Sequence, residues 1–83
     1  MHEWGITQSL IDEIKRQSDI NNMKLVKSVE ITLGRKAELS KLALRTCFKA
    51  LAIDNDLGLC KLKIKKTLGN ELIISKITGE QKS

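Results

Sequence analysis

The sequence predicts an α+β fold: a two-layer sandwich in the order α-β-α-β-β, with two helices on one face of a three-stranded mixed sheet. Two segments repeat apolar residues every three or four positions, which is typical of amphipathic helices. Three further segments alternate polar and apolar residues, which is typical of half-buried strands. The chain has 83 residues, enough for one domain and not for two. Both kinds of segment must therefore pack against each other around a single core.

The first helix is predicted over residues 5–20. Its apolar stripe is formed by Ile6, Leu10, Ile11 and Ile14. These spacings place all of its members on one side of a helix. Asn21 and Asn22 follow the stripe, and asparagine commonly ends a helix.

The first strand is predicted over residues 28–34. Val29, Ile31 and Leu33 alternate with polar residues, so we expect these three side chains to face the core. Gly34 closes the run.

The second helix is predicted over residues 37–52, where the helical period returns. The apolar residues that carry this period are Leu39, Leu42, Ala43, Leu44, Cys47, Phe48 and Leu51. Asp54, Asn55, Asp56 and Gly58 then form a turn.

The second and third strands are predicted over residues 59–65 and 71–78. In the second strand, the inward side is formed by Cys60, Leu62 and Ile64, and the outward side by Lys61, Lys63 and Lys65. Gly69-Asn70 between the strands is a turn signal, which predicts a hairpin. The domain is then residues 1–78, followed by a polar tail over 79–83 that we expect to fray.

Composition excludes several classes of function. Lys and Arg number 15 against 10 Asp and Glu, a net charge of +5. The two cysteines form no Cys-x-x-Cys pair, which argues against a four-cysteine zinc site and a disulfide-dense secreted fold. One His, one Trp, one Phe and no Tyr exclude a multi-histidine cage and an aromatic RNA-stacking sheet. With no secretory signal or membrane-length apolar run, a cytoplasmic protein with reduced thiols is expected.

The N-terminal Met1-His2-Glu3 is the candidate metal site. The α-amine, deprotonated backbone amides and the His2 imidazole can form fused chelate rings around one ion. A nearly planar set of nitrogen ligands favours Ni(II) or Cu(II) over Zn(II), which prefers a tetrahedron. Because these donors must lose protons first, affinity should fall in acid. The alternative is that His2 is an ordinary residue near a frayed terminus.

Four segments together resemble the HypA/HybF family of nickel metallochaperones. They are Met1-His2-Glu3-Trp4, residues 26–34, the Leu44 to Phe48 helix and residues 69–74. The resemblance covers nearly the whole chain in the family's order. It implies that Ni(II) is held by the Met1 amine, the backbone nitrogens of His2 and Glu3, and the His2 imidazole. It also implies a chaperone without enzymatic activity, which supplies [NiFe]-hydrogenase and, in some organisms, urease. The implied partners are the maturation GTPase and the hydrogenase large subunit.

The chain departs from this family between its last two strands. Family members carry a zinc module with two Cys-x-x-Cys pairs at that place, whereas only residues 66–70 lie there in this chain. The chain is a minimal member, a relative with another role, or a shortened form. We expect no structural zinc in any of these cases.

The remaining candidate residues have simpler interpretations. Cys47 and Cys60 lie on the apolar sides of their elements and are expected to pack in the core. Lys61, Lys63 and Lys65 form either a solvated sheet face or a binding surface. The alternative function is therefore a basic binding module that contacts nucleic acid or an acidic protein through this lysine-rich face.

Overall fold

The computed structural model describes residues 2–83 and confirms the predicted fold class. The elements are α1 (His2–Ile20), β1 (Met23–Gly34), α2 (Lys41–Asp54), β2 (Lys61–Thr67) and β3 (Leu72–Gln81). The strands form one mixed sheet in the order β2-β1-β3. β1 is parallel to β2 and antiparallel to β3. No helix within residues 2–83 is long and apolar enough to cross a membrane.

The core lies between the helices and the central strand. Its most completely buried aliphatic side chains are Ile11, Ile14, Val29, Ile31, Leu33 and Leu44, each 0% exposed. The predicted inward side of β1 and the predicted stripe of α1 are thus confirmed. Burying one such side chain contributes about 1.5–3 kcal/mol, so these positions dominate the stability of a domain this small.

Helix α1 begins three residues earlier than predicted, at His2 instead of residue 5. The first turn was missed because its residues carry no apolar period. The helix ends where predicted. Asn22 adopts a left-handed conformation with φ of 57°, which asparagine tolerates better than most residues.

Helix α2 begins at Lys41, so its predicted start at residue 37 was wrong. The Ser40 hydroxyl accepts a hydrogen bond of 3.0 Å from the Ala43 N–H and caps the helix. Leu42 was also assigned to the wrong face and is 76% exposed. The buried side of α2 is formed by Leu44, Cys47, Phe48 and Ala52. This set has helical spacing without Leu42.

The predicted hairpin between β2 and β3 does not form, because both strands flank β1. The connecting segment crosses the end of β1 instead. The Gly34 N–H donates to the Glu71 carbonyl at 2.7 Å, and the Lys36 N–H donates to the Gly69 carbonyl at 2.9 Å. A Cβ at Gly34 would lie 2.1 Å from the Gly69 oxygen. Glycine at position 34 is therefore what allows the two backbone segments to approach.

The two long strands extend beyond their predicted limits. β1 begins at Met23, and register shifts against β3 interrupt its alternation before Ser28. β3 continues to Gln81, which pairs with Met23. The prediction of a tail from Gly79 was therefore wrong for residues 79–81, which belong to the sheet.

Candidate metal centre

Two of the predicted metal-binding residues, His2 and Glu3, lie at the start of α1. The helix begins at His2, and Glu3 is the acidic residue of its first turn. The His2 side chain is exposed and Glu3 is half-buried. Met1, whose α-amine is a predicted donor, lies outside the described residues. Two of the three predicted residues are therefore positioned, on adjacent places at the helix N-terminus.

The backbone nitrogens of this first turn have no acceptor within the helix. The first four N–H groups of any α-helix lack a carbonyl four residues earlier. The N–H groups of His2 and Glu3 belong to this set. Removing their protons therefore breaks no helical hydrogen bond, which distinguishes them from the backbone nitrogens further along α1.

Thr7 fixes the carbonyl side of Glu3. The Thr7 hydroxyl donates to the Glu3 carbonyl oxygen at 2.7 Å. Thr7 is 0% exposed, so this carbonyl is attached to the core. The Glu3 backbone N–H thus has no acceptor within the helix, whereas the Glu3 carbonyl oxygen is held by the Thr7 hydroxyl. Sequence analysis missed Thr7, because its place four residues after Glu3 and three before Leu10 does not by itself indicate this hydrogen bond.

A planar nitrogen chelate does not fit an ideal helical turn. Two successive backbone nitrogens share a flat chelate ring only when the torsion ψ between them is close to zero, whereas helical ψ is about −42°. Within the described residues, the torsion that must change for the predicted ligands is ψ of His2. It precedes the Glu3 carbonyl that Thr7 fixes. The necessary rearrangement can therefore stay within the first turn.

The charge of the helix end also bears on what can bind there. The N-terminus of a helix carries a partial positive charge, which repels a bare cation. The Glu3 carboxylate lies in the same turn and offsets this charge. Deprotonated amide nitrogens would offset it further. The turn therefore suits a metal that displaces amide protons better than one that binds electrostatically.

The cysteines lie in the places expected for packing. Cys47 is 3% exposed, and Cys60 is half-buried against the core. Burial raises the pKa of the Cys60 thiol, which disfavours the thiolate that binds metals. Within residues 2–83 no three side chains of the His, Cys, Asp and Glu types gather in one place.

The lysine-rich face lies on the open side of the sheet, away from the helices. Lys61, Lys63 and Lys65 are exposed, while Leu62 and Ile64 pack against the core. The β1 residues opposite the three lysines are Ser28, Glu30 and Thr32. The ion pairs found within residues 2–83 are Arg16–Glu13 and Lys27–Glu80, so none engages these lysines.

A groove that sequence analysis missed lies between α2 and β2. It has a volume of about 310 Å³. It is lined by Arg45, Phe48, Lys49, Ala52, Ile53, Leu57, Gly58, Cys60 and Leu62. Periodicity assigned Phe48, Cys60 and Leu62 to the core, and nothing in the sequence indicated that the helix and the strand leave a gap between them.

Comparison with known proteins identifies a family and individual relatives that match this chain. The family described as "Hydrogenase/urease nickel incorporation, metallochaperone, hypA" matches residues 1–77. The hydrogenase maturation factor HypA of Shewanella halifaxensis is 36% identical over 61 residues, which are 74% of this chain and 50% of that protein. Its counterpart from Chlorobium limicola is 35% identical over 52 residues, 63% of this chain and 45% of that protein. The chain thus spans about half the length of the curated relatives it matches.

A solved structure has the same fold. The solution structure of the Ni metallochaperone HypA from Helicobacter pylori superposes with a TM-score of 0.87 at 13% identity. The match covers 96% of this chain and 98% of that one. At this identity the likeness establishes the fold alone, whereas the family match over residues 1–77 establishes descent. The chain therefore belongs to the HypA family of hydrogenase and urease nickel-incorporation metallochaperones.

Proposed function

We propose that this chain is a nickel metallochaperone that binds Ni(II) at its N-terminal Met1-His2-Glu3. The ligands are the Met1 amine, the backbone nitrogens of His2 and Glu3, and the His2 imidazole. The observation that carries the proposal is the free Glu3 nitrogen directly before a carbonyl that Thr7 holds to the core. Nickel is proposed as the metal because the chain belongs to the HypA family.

The proposed ligands suit a cargo ion that must be both held and released. Four nitrogens in one plane match the geometry that Ni(II) favours. Cu(II) binds such ligands more tightly, so nickel selection depends on which metal is available. Because the His2 side chain is exposed, an incoming ligand can reach the ion and take it by stepwise exchange.

Delivery serves the maturation of [NiFe]-hydrogenase, with urease as a second possible recipient. The proposed partners are the maturation GTPase and the hydrogenase large subunit. The chain itself performs no covalent step, since its role is to bind an ion and pass it on. This assignment rests on the family to which the chain belongs.

We also propose that the chain holds no structural zinc ion. The only two cysteines, Cys47 and Cys60, are both accounted for by packing against the core. Metal analysis of the purified protein should therefore find less than one tenth of an equivalent of zinc. One equivalent of tightly held zinc would contradict this proposal but not the proposal of a nickel site.

The test of the nickel site is a Ni(II) titration of protein with a native N-terminus, followed by d–d absorption and Trp4 fluorescence. The native chain should bind one equivalent with the spectrum of a diamagnetic planar complex. His2→Ala removes the imidazole and should weaken binding at least a hundredfold. Trp4 is the only tryptophan and is 40% exposed, so it can report a metal bound nearby.

A matched pair of variants at position 3 separates the backbone from the side chain. Glu3→Ala keeps the backbone nitrogen and should bind Ni(II) within about fivefold of the native chain. Glu3→Pro removes the N–H, which the first turn of a helix tolerates. It should lose the planar spectrum. Equal binding by Glu3→Pro and Glu3→Ala would rule out the Glu3 nitrogen as a ligand.

A further inference from the structure

The strand β2 has one unpaired edge. Among residues 2–83 it pairs with β1 and with no other strand, so its opposite side presents N–H and C=O groups without a neighbouring strand. One side chain reaches this strand from α2: the Arg45 guanidinium donates to the Leu62 carbonyl oxygen at 3.3 Å. Such an edge can accept an extended segment of another chain as an additional strand.

On the helix side of this edge lies the groove between α2 and β2, with a volume of about 310 Å³. Its floor is apolar, because Phe48, Ala52 and Leu57 are each less than 5% exposed and line it. Two large apolar side chains near it face solvent: Ile53 is 70% exposed and Leu59 is 89% exposed. Apolar side chains of a bound segment would cover this surface.

On the open side of the same edge, the charged side chains of β2 are all lysines, and Glu30 of β1 lies beside Lys63 on the inner side. Lys61, Lys63 and Lys65 project from β2, and none has a partner among the ion pairs found within residues 2–83. The groove side adds the cations Arg45 and Lys49. A segment lying along β2 would therefore meet cations on the sheet side and a mainly apolar surface on the helix side.

Successive side chains of a strand point to opposite faces of its sheet. We infer that the free edge of β2 binds an extended acidic segment of a partner protein, in which apolar and acidic residues alternate. The apolar residues enter the groove between α2 and β2, and the acidic residues lie beside Lys61, Lys63 and Lys65. This interaction does not depend on nickel, so it can hold a partner before or after the metal moves.

Two other occupants fit this edge less well. A second copy of this chain would place its own β2 lysines beside these lysines, and like charges opposite each other destabilise a sheet. Single-stranded nucleic acid needs exposed aromatic side chains on which bases stack. The only aromatics are Trp4, on α1, and Phe48, which is 3% exposed.

The experiment uses a blocked peptide of alternating Glu and Val, seven residues long to match β2. It is added to the full chain and followed by amide chemical shifts and hydrogen exchange. The expected result is binding in the micromolar to low millimolar range, with shifts and slower exchange in β2 and shifts in α2. A peptide of the same composition with all Glu before all Val should bind at least fivefold more weakly, because its two faces no longer differ.

Charge reversal at matched positions tests the edge. Lys63→Glu should weaken peptide binding at least tenfold, whereas Lys76→Glu should change it less than twofold. Lys76 is exposed on β3, the strand at the other edge of the sheet. Its reversal therefore changes the net charge by the same amount but away from β2. Equal loss in both variants would overturn the assignment to β2, as would shifts centred on β3 or no binding at millimolar peptide. Binding of oligothymidylate as tight as that of the peptide would replace the proposed partner with nucleic acid.

Discussion

The first turn of α1 and the remainder of the same helix are held in different ways. In the first turn, His2 is exposed and the backbone N–H groups have no helical acceptor. Two turns later, Ile11 and Ile14 are 0% exposed against the sheet. The boundary is Glu3, whose carbonyl is fixed by Thr7 at 2.7 Å. A single helix therefore combines an exposed first turn, the proposed nickel site, with a buried part that stabilises the domain.

With Ni(II) at the proposed N-terminal site, this difference separates metal binding from folding. Changes to the His2 imidazole or the Glu3 nitrogen should alter Ni(II) affinity while leaving the free energy of unfolding nearly unchanged. Changes in the buried part should do the opposite. A metallochaperone gains from this separation, because taking up and releasing its cargo does not require the core to open.

The largest effect on stability is expected from Ile11→Ala. Removing this fully buried side chain should lower the free energy of unfolding by about 2–5 kcal/mol, because transfer and cavity terms add. Ile20→Ala is the matched control in the last turn of α1, where the side chain is 67% exposed, and should cost less than about 1 kcal/mol. Urea unfolding measures both. If Ile11→Ala stays folded yet binds Ni(II) more weakly, the two parts of the helix are not independent.

Gly34→Ala tests the crossing of the β2–β3 connection over β1. A Cβ there would lie 2.1 Å from the Gly69 oxygen and 2.8 Å from the Asn70 nitrogen, both backbone atoms. We expect a loss of about 1–3 kcal/mol in urea unfolding, since the backbone must move to relieve overpacking. Gly58→Ala is the control, because its nearest contact would be 3.7 Å. Equal stability of the two variants would mean that the connection moves aside at little cost.

Gly5→Ala tests whether the boundary between the two parts of α1 lies at Glu3. No atom lies within 4 Å of a Cβ at this helical glycine, and its φ is not positive. The substitution should therefore stabilise the protein by about 0.5–1 kcal/mol in thermal or urea unfolding. Ni(II) affinity should stay within twofold, because the required rotations precede Glu3. A drop of fivefold or more would place the unwinding beyond Gly5.

The smallest predicted effect is on stability in acid, through the Glu13 carboxylate. Hydrogen bonds from Arg16 and Gln17 lower the pKa of Glu13 to about 2, from an ordinary 4.5. A lowered folded-state pKa means that this carboxylate supports the fold above pH 4.5, and that the support disappears as the pH falls toward 2. Carboxyl NMR should give a midpoint of about 2, moving toward 4.5 in Arg16→Gln. An unmoved midpoint in that variant would exclude Arg16 as the cause.

Much of the fold could be predicted from residue patterns, because each buried face repeats with the period of its element. The stripe ending at Ile14 and the alternation of Val29, Ile31 and Leu33 both appear in the structure as predicted. Strand neighbours were not predictable in this way. Gly69-Asn70 is a hairpin signal, but which strand β3 pairs with depends on the tertiary fold, and here both β2 and β3 pair with β1.

The residues of the candidate site could be predicted from the sequence, but the hydrogen bond that attaches them to the core could not. His2 and Glu3 stood out by their place in the chain and by resemblance to a family. Thr7 did not, because its role depends on a hydrogen bond between a buried hydroxyl and one carbonyl. The groove beside β2 was also unpredictable, since periodicity assigns residues to a face and cannot indicate where two elements leave a gap.

The proposed nickel site is tested by comparing the chain with a free Met1 α-amine and the same chain acetylated at that nitrogen. Acetylation removes one proposed ligand and leaves every side chain in place. Titration with Ni(II) should give one equivalent and a planar diamagnetic spectrum for the free terminus, and at least a hundredfold weaker binding without that spectrum for the acetylated chain. Equal affinity and identical spectra in both forms would contradict a nickel site at the N-terminus.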